Sequence, residues 1–600
     1  MRQLEHFPNL VTMFLTRAAE RGDAPFLWQK ADKQWKALSW AETAQQVAAL
    51  AAALQAEGIK SGDRVMLVSE NRPEFFIADL AIMAAGAVTV PTYTTNTTRD
   101  HAHILTDSGA RAVIVSTAKL AKALMPAVLR SNANLVIGME PLRAVQGDRL
   151  ICHLWDNLIE AHTEDAQADI AACAARQTAT RDDLACIIYT SGTGGAPRGV
   201  MHHHGAILHN VEGCTEVIAS DFGLDDEVFL SFLPLSHAYE HSAGQFFPIA
   251  LGAQIYYAEG LDKLAANIEE VRPTIMIVVP RLFEVLRTRV VKAVEKQGKL
   301  PAFLLGQALR IGTRQTETGR IPIWDRPMRM LIDRTIRPKV QARFGGRIKA
   351  LVSGGAPLNP EVGNFFHALG LTLLQGYGQT EAAPVISVTR PSTGLKMDTV
   401  GTPLINTEVR IAEDGEILVR GELVMHGYWR NPEETERVLK DGWLHTGDIG
   451  EFDAQGRLRI TDRKKDIIVN DKGDNVSPQK VEGMMTLQDE IGQTMVSGDK
   501  RPYLVGVIVP DPEWMREWAQ ANSRAADLAM LKADPTFHAA LRVAVDVVNA
   551  DLSVIEKVRQ FIIADEPFTI DNEMLTPSMK IRRHMIRAAY QERLDALYKA

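Results

Sequence analysis

Residues Tyr189 to Val200 read YTSGTGGAPRGV and continue the apolar, strand-like run ACIIYT. Four glycines let backbone N–H groups turn inward without a Cβ penalty, namely Gly192, Gly194, Gly195 and Gly199. Hydroxyl donors come from Thr190, Ser191 and Thr193, and Arg198 adds a fixed positive charge. The stretch lacks the Walker A and GxGxxG spacings. It predicts a phosphate-binding loop after a buried strand, and an ordinary glycine-rich loop is the alternative.

Upstream of this loop, strand-like and helical segments alternate. Ser39 and Glu42 form a capping box that predicts a helix ending near Gly58. Strand-like runs then follow at 64–69, 87–93 and 112–117 with helical segments between them. This alternation predicts parallel βαβ units and therefore an α/β fold.

Composition limits the class of protein. The 600 residues are 46% hydrophobic and 23% charged, which is typical of a globular chain with several domains. A net charge of -8 predicts no general attraction to nucleic acid. The four cysteines form no CxxC pair, the N-terminus lacks a signal-like apolar run, and the longest apolar stretch, 80–90, is too short to span a bilayer. We therefore expect a soluble, cytoplasmic protein without disulfides or structural zinc.

Two further stretches place ligand-binding residue types at strand ends. SGGAPL (353–358) and LLQGYGQTEAAP (373–384) each read as a strand that ends in glycines, where parallel sheets bind ligands. Tyr377 offers a flat face for a base, Thr380 a hydroxyl for phosphate, and Glu381 an oxygen ligand for Mg²⁺. Taken singly, Tyr377 in the core and Glu381 on the surface are the ordinary alternatives.

The remaining motifs lie on both sides of these stretches. FLSFLPLSHAYEH (229–241) delivers His237 onto a loop after an apolar strand, whereas the adjacent histidines 202–204 are assigned solvated or capping roles. DGEILVRGELVMHGYW (414–429) predicts a small antiparallel sheet, and WLHTGD (443–448) follows it. Asn431 and Ser477, each followed directly by a proline, predict the N-caps of two helices. TDRKKDIIV (461–469) reads as a charged connector, and EMLTPSMKIRRHMI (573–586) places Lys580 beside a proline-marked loop.

These motifs, in this order, resemble the adenylate-forming (AMP-binding) superfamily of acyl-CoA synthetases, luciferases and peptide-synthetase adenylation domains. VPRLFE (279–284), the inserted region 287–340 and KGDNVSPQ (472–479) resemble long-chain fatty acyl-CoA synthetases in particular. The chain departs from the family at Gly194, where a second Thr or Ser is usual, and at Arg198, where Lys is usual. The resemblance implies a large N-terminal domain of parallel-rich βαβ sheets with a small β-barrel-like subdomain (1–462), and a small mobile α+β C-terminal domain (463–600).

The resemblance also implies roles for individual residues. Those assigned to ATP are Thr190, Ser191, Gly192, Thr193, Gly194, Gly195 and Arg198 for the phosphates, Gly355, Ala356 and Tyr377 for adenine, Thr380 for the α-phosphate, and Asp448 and Arg463 for the ribose. The others are Thr193 and Glu381 for Mg²⁺, His237 for the acyl pocket and substrate carboxylate, Lys580 for catalysis of adenylation, Lys465 for the hinge and Gly473 for the CoA tunnel.

The implied activity is conversion of a fatty acid with MgATP to an acyl-adenylate, followed by transfer to CoA. The alternatives are an aryl-CoA ligase, a fatty acyl-AMP ligase that loads a carrier protein, and a catalytically silent nucleotide- or acyl-binding protein. Oligomeric state is left open, with a homodimer as one option.

One stretch raises the question of a membrane partner. Residues 281–343 carry 15 Lys or Arg against five Asp or Glu, interleaved with Leu304, Leu305, Ile323, Trp324, Met328 and Met330. A solvated surface is the default interpretation, and peripheral contact of 287–340 with an anionic membrane is the alternative hypothesis.

Overall fold

The structure is a computed structural model that describes residues 5–142, 150–190, 197–296, 298–318, 320–464, 466–576 and 581–599. Its first part alternates strands and helices, as the sequence predicts. Up to the phosphate-loop stretch these elements are α1 (Leu10–Arg21), β1 (Pro25–Ala31), β2 (Gln34–Ser39), α2 (Trp40–Ala56), β3 (Arg64–Val68), α3 (Pro73–Ala84), β4 (Val88–Thr92), α4 (Thr98–Ser108), β5 (Ala112–Val115), α5 (Ala118–Val128), β6 (Leu135–Gly138), β7 (Ile151–Leu154), α6 (Trp155–Ala161), α7 (Ala166–Ala175) and β8 (Leu184–Thr190). The predicted capping box is present at α2, where Ser39 Oγ accepts from Glu42 N at 3.1 Å and the Glu42 carboxylate accepts from Ser39 N at 2.7 Å.

The second part contains another large sheet and the helices that cover it. Its elements are β9 (Arg198–His203), α8 (His204–Asp221), β10 (Val228–Ser231), α9 (Ala238–Glu240), a π-helical segment (His241–Phe246), α10 (Phe247–Leu251), β11 (Gln254–Tyr257), α11 (Leu264–Val271), β12 (Ile275–Val278), α12 (Pro280–Lys296), α13 (Lys299–Thr318), α14 (Arg326–Arg343), β13 (Ala350–Ser353), α15 (Pro360–Ala368), β14 (Leu373–Gly378), β15 (Val385–Val388) and β16 (Thr402–Pro403). Short 3-10 turns lie at Ile323–Asp325, Thr380–Ala382 and Pro391–Thr393.

Two large sheets organise these parts. In the described residues one has seven strands in the order β7-β6-β5-β3-β4-β8-β9, and the other has nine in the order β16-β15-β14-β13-β12-β10-β11-β1-β2. Their central pairs are parallel, and antiparallel pairs occur at the edges, including β8 with β9 and β14 with β15. The main apolar cluster contains residues of both sheets and of α2, α3 and α8, so these helices are buried between the sheets.

A small antiparallel sheet follows, where the sequence predicts a barrel-like subdomain. Its elements are β17 (Glu408–Ile411), β18 (Glu416–Arg420), α16 (Pro432–Val438), β19 (Leu439–Lys440), β20 (Trp443–Phe452) and β21 (Leu458–Arg463). In the described chain the sheet has five strands, with β17, β18, β20 and β19 in order and β21 paired to β20. Asn431 caps α16 and Pro432 is its first residue, as predicted.

The C-terminal part has apolar clusters of its own. Its elements are β22 (Ile468–Val469), β23 (Asn475–Val476), α17 (Pro478–Met485), β24 (Ile491–Ser497), β25 (Leu504–Pro510), α18 (Pro512–Ala521), α19 (Leu528–Leu531), α20 (Pro535–Asp551), β26 (Val558–Ile563) and α21 (Arg583–Ala596). Ser477 precedes α17 as expected, although its hydroxyl makes no capping hydrogen bond. None of the described helices has the length and apolar character needed to cross a bilayer.

Candidate active site

A cleft of about 2730 Å³ lies where the two large sheets, the small sheet and the C-terminal part meet. The residues that the sequence assigned to ligands converge on it from distant parts of the chain. Those that border it are Thr190, Arg198, His237, Gly355, Ala356, Tyr377, Thr380, Glu381, Asp448 and Arg463. The fold therefore brings ten of the predicted site residues to a single cavity.

The predicted phosphate loop connects two paired strands at the edge of this cleft. Thr190, the last residue of β8, pairs with Arg198, the first residue of β9. Ser191, Gly192, Thr193, Gly194 and Gly195 lie outside the described residues.

Gly199 does not belong to the loop, contrary to the sequence interpretation, because it pairs with Tyr189 inside the hairpin. A Cβ on Gly199 would lie 2.7 Å from Ile187 Cγ2. Close packing within the sheet therefore explains this glycine.

Arg198 and Glu381 are linked through one tyrosine. The guanidinium of Arg198 lies 4.7 Å from the centroid of the Tyr428 ring and also pairs with Glu434. The Tyr428 hydroxyl donates to Glu381 Oε1 at 2.7 Å. Burial, followed by the nearby Glu381 charge, raises the pKa of Tyr428, so its hydroxyl stays a donor at neutral pH. Tyr428 and Glu434 carry no local signal that links them to the site, because both lie more than 200 positions from Arg198 in the sequence.

Tyr377, Asp448 and Arg463 form a second linked group. Tyr377 donates its hydroxyl to Asp448 Oδ2 at 2.8 Å, and Arg463 Nε donates to Asp448 Oδ1 at 3.0 Å. Asp448 and Arg463 face each other across β20 and β21. Each carboxylate oxygen has a second lone pair. Asp448 therefore keeps acceptor capacity for a hydroxyl while it holds the Tyr377 ring in place.

The turn that carries Thr380 and Glu381 is held by three buried side chains that the sequence did not single out for the site. His202 Nε2 lies 2.6 Å from the Thr380 carbonyl oxygen. Asn210 donates to the Ala382 carbonyl at 3.3 Å and accepts from Val385 N at 2.6 Å, and Ser242 donates to the Ala383 carbonyl at 2.8 Å. These contacts fix the backbone on both sides of the two predicted ligands.

The solvated role suggested for the three histidines is wrong. His202 and His204 are buried, and His203 caps α8 by accepting from Ala206 N at 3.2 Å, which confirms the capping alternative for that residue. Burial lowers the pKa of His202 to about 3, so the imidazole is neutral and its Nε2–H donates to Thr380. The alternation of side chains along β9 could have indicated that His202 is buried, because His202 shares a face of the strand with the apolar Val200. Both side chains are fully buried.

His237 and the loop after β13 form another wall of the cleft. His237 Nδ1 accepts from Tyr239 N at 3.2 Å, and Tyr239 donates its hydroxyl to the Val352 carbonyl at 2.9 Å. A Cβ on Gly354 would lie 2.8 Å from the Tyr239 ring, and Gly355 has a φ of +81° with open space beside it. The two glycines therefore let the backbone lie close to Tyr239 and face the cleft.

Apolar side chains form one part of the cleft lining, which is called the apolar branch below. It lies between α8, the π-helical segment with α10, and strands β14 and β15. Its lining residues are Cys214, Val217, Ile218, Ala243, Phe247, Leu374, Val385 and Val388. Such a surface suits an apolar ligand tail.

The C-terminal part borders the cleft on another side. Thr576 and Ile581 border the cleft on either side of a short segment that includes Lys580, which lies outside the described residues, as does Lys465. Gly473 lies in an exposed turn between β22 and β23 with a φ of +87°, and it is not among the residues that border the cleft.

One further contact joins α12 to the C-terminal part across the cleft. Arg281 Nη2 on α12 donates to the Gly492 carbonyl at 3.3 Å.

Comparison with known proteins identifies similar sequences. The family model described as AMP-binding enzyme matches residues 14–429, and the AMP-binding enzyme C-terminal domain matches residues 465–600. The chain is 33% identical over 597 residues to the long-chain-fatty-acid–CoA ligase FadD15 of Mycobacterium tuberculosis, covering 98% of this chain and 97% of that protein. It is 30% identical to the human long-chain-fatty-acid–CoA ligase 6, covering 96% of this chain and 85% of that protein.

Solved structures share the fold at lower identity. The adenylation domain of the carboxylate reductase GR01_22995 from Mycobacterium chelonae has a TM-score of 0.76 at 22% identity, with 99% of this chain and 92% of that chain covered. The anthranilate CoA ligase AuaEII, solved with anthranoyl-AMP, has a TM-score of 0.69 at 18% identity, with 97% of each chain covered.

Proposed function

The chain belongs to the AMP-binding enzyme family, and from that membership and the geometry of its cleft we propose that it converts a long-chain fatty acid, ATP and CoA to acyl-CoA, AMP and pyrophosphate. The full-length relatives confirm the predicted resemblance to long-chain acyl-CoA synthetases and the predicted enzyme class, an AMP-forming acid–thiol ligase. One observation carries the proposal: the predicted nucleotide ligands and an apolar branch open into the same cleft.

In the first half-reaction, a carboxylate oxygen of the acid forms a bond to the α-phosphorus of ATP. The bond from that phosphorus to the bridging oxygen of pyrophosphate breaks, and the electron pair leaves with pyrophosphate. Negative charge develops on the transferring oxygens, so fixed positive and hydrogen-bonding groups lower the barrier. We assign these contacts to Thr190, Arg198, Thr380, Lys580 and the loop 191–195.

The remaining polar groups of the cleft orient the two substrates. The Tyr377 ring, held by Asp448, supplies a flat surface for adenine beside Gly355 and Ala356, while Asp448 and Arg463 bind the ribose. His237 borders the cleft and lies four residues before the π-helical segment that lines the apolar branch, which suits contact with the substrate carboxylate. Orientation of this kind replaces a bimolecular encounter with a preformed geometry.

Glu381 and the tyrosine that orients it, Tyr428, suit the binding of a magnesium ion. Mg²⁺ is bound through one or two carboxylates together with phosphate oxygens and water, and not by an all-protein cage. Glu381 supplies one such carboxylate, because it borders the cleft and its carboxylate is oriented by the Tyr428 hydroxyl. When bound, the ion neutralises phosphate charge. Glu381, together with Thr193, would hold it.

In the second half-reaction, the CoA sulfur bonds to the acyl carbonyl carbon, the bond to the AMP oxygen breaks, and the thiol proton is lost to solvent. We propose that the C-terminal part, 463–600, turns about Lys465 between the two steps. Support comes from the positions of two segments: the residues flanking Lys580 border the cleft, whereas Gly473 lies in an exposed turn away from it. The structure therefore suits the first step, and a rotation is needed for Gly473 to line a CoA tunnel.

Pyrophosphate release tests this function. Purified protein with MgATP is offered acids from acetate to stearate and cinnamate, with and without CoA. We expect release with long-chain acids and CoA-dependent formation of AMP and acyl-CoA. Preference for cinnamate would favour an aryl-CoA ligase. Pyrophosphate release with no CoA-dependent formation of AMP would favour a carrier-loading ligase. No ATP consumption with any acid would overturn the proposal.

We also propose that the segment 287–340 contacts an anionic membrane. The turn between α13 and α14 and the start of α14 carry exposed apolar side chains. Ile323 is 74% exposed, Trp324 is 73% exposed and Met330 is 57% exposed. Arg314 lies 6.0 Å from the Trp324 ring, and Arg326, Arg329 and Arg334 border a neighbouring surface pocket. Leu305 does not contribute, because it is 5% exposed and packs in the core. Exposed apolar groups among arginines match the chemistry of an anionic bilayer surface.

Vesicle sedimentation tests this contact. The double variant Ile323→Ser and Trp324→Ser should lower binding to phosphatidylglycerol vesicles, and 0.5 M salt should do the same. The matched control changes Val543 and Val547, which are 64% and 52% exposed on α20, to Ser. Equal binding by wild type and the first variant would contradict the contact. A homodimer and a cytoplasmic location stay predictions.

A further inference from the structure

Helix α8 and strand β15 are two of the elements that bound the apolar branch, and they are joined beside the turn of Thr380 and Glu381. At the near end, Asn210 of α8 accepts from Val385 N of β15 at 2.6 Å. From there α8 continues through Cys214, Val217 and Ile218, and β15 continues to Val388, all of which border the cleft. Helix α8 and strand β15 therefore form two walls of this branch, which is called the acyl channel below.

The far end of this channel carries a three-residue ion cluster. Arg390 donates twice to the Glu216 carboxylate, at 2.8 and 3.1 Å, and its Nε donates to Asp221 Oδ2 at 3.0 Å. Asp221 is the last residue of α8, three positions after Ile218, and Arg390 follows Val388 by two positions. The cluster thus joins the two walls just beyond the last residues that border the cleft.

The length of both walls agrees with this placement. From Asn210 to Asp221 the helix rises by about 16 Å at roughly 1.5 Å per residue. From Val385 to Arg390 the extended chain advances by about 17 Å at roughly 3.3 Å per residue. The walls therefore have matching lengths, as expected if the Asn210 contact and the Arg390 cluster join α8 to the β15 segment at opposite ends.

We infer that the Arg390, Glu216 and Asp221 cluster closes the distal end of the acyl channel and limits the length of the acid that the enzyme accepts. The inference rests on the proposed function, since it takes the channel to hold the acyl tail. The side chains of Arg390, Glu216 and Asp221 are 15%, 24% and 3% exposed respectively, so the cluster is largely shielded from solvent. A longer tail would have to displace a bidentate arginine from two carboxylates, and that arrangement is the strong form of ion pairing.

The test compares acids of increasing length by kcat/KM for pyrophosphate release. Let the reference be the acid that wild type uses best, and let the long acid have four more carbons. In Arg390→Met we expect the ratio of long to reference acid to rise about tenfold, which corresponds to burial of one or two of the four further methylenes at about fourfold each.

Two additional variants distinguish a change in the preferred acid length from a loss of folding. The triple variant Arg390→Met, Glu216→Gln and Asp221→Asn leaves no unpaired charge behind, and we expect the same shift in the ratio. Val217→Phe narrows the channel from inside, and we expect the opposite shift, toward shorter acids.

Arg181→Met is the matched control. Arg181 forms a comparable cluster with Glu212 of α8 and with Glu422, away from the channel. We expect a similar fall in thermal stability with the wild-type length ratio.

The outcomes distinguish the two proposals. If wild type activates acids but folded Arg390→Met and triple variants keep the wild-type ratio within twofold, the gate is refuted. A shift of equal size in Arg181→Met would also refute it. If wild type activates no acid, the proposed function itself fails.

Discussion

Tyr428→Phe removes a single hydroxyl and tests whether that hydroxyl orients Glu381, the proposed magnesium ligand. In the structure this hydroxyl donates to Glu381 Oε1 at 2.7 Å, and the ring packs beneath the Arg198 guanidinium at 4.7 Å. Phenylalanine keeps the ring and its contact with Arg198. The substitution therefore isolates the orientation of the Glu381 carboxylate.

The expected magnitude follows from the role of a residue behind a metal ligand. Loss of such a hydrogen bond typically lowers metal affinity by about 10- to 100-fold. We expect the lower end of this range, because the Glu381 backbone stays anchored by the hydrogen bond from Met425 N to its carbonyl at 3.0 Å. The midpoint of the Mg²⁺ titration should rise about tenfold, or about 1.4 kcal/mol, while kcat at saturating Mg²⁺ is largely kept.

The assay is pyrophosphate release at saturating ATP and acid over a series of Mg²⁺ concentrations. Tyr239→Phe is the matched control, since it removes a hydroxyl from another tyrosine at the cleft whose partner is the neutral Val352 carbonyl. An unchanged midpoint in Tyr428→Phe, or an equal rise in both variants, would refute the reasoning.

Three further predictions concern other residues. Lys580→Ala should abolish adenylate formation and spare thioester formation from supplied acyl-AMP; equal loss of both steps would contradict its assigned role. His202→Leu leaves the Thr380 carbonyl without its donor, so we expect a loss of about 1–3 kcal/mol in unfolding free energy and a raised KM for ATP, measured by denaturant titration and initial rates. That loss should be largest above about pH 7 and should shrink as pH falls to 5, because burial lowers the pKa of His202 to about 3, below its unfolded value of about 6.5, so that acid protonates the unfolded histidine first. Burial raises the pKa of Glu240 to about 8, above its unfolded value, so the folded state holds the proton more tightly and stability falls as pH rises from about 4.5 to 8. The advantage of Glu240→Gln over wild type should therefore grow between pH 5 and 8, and a constant difference would show that Glu240 does not titrate in this range.

Local signals in the sequence were sufficient for many elements. The capping box at Ser39, the cap at Asn431, the alternation of β3, β4 and β5 with helices, and the strand before the phosphate loop all appear as predicted. Each depends on residues within a few positions of one another, so a linear pattern records it. The order of the ligand motifs also predicted the family, which the relatives confirm.

The partners of those ligands could not be predicted in the same way. His202 reaches Thr380 across 178 positions, Tyr377 reaches Asp448 across 71, and Arg198 reaches Glu434 across 236. No sequence pattern close to any of these residues identifies the distant residue that it contacts. The same holds for Arg390, whose carboxylate partners lie on α8 more than 160 positions earlier.

The sequence alone thus determined which chemical groups this protein possesses and where short helices and strands begin, because backbone hydrogen bonding, capping and apolar periodicity act between near neighbours. Only the tertiary structure decided which groups share the cleft and which side chains orient them. The order of strands in the two large sheets sets those distances, and that order depends on packing of the whole buried core between them.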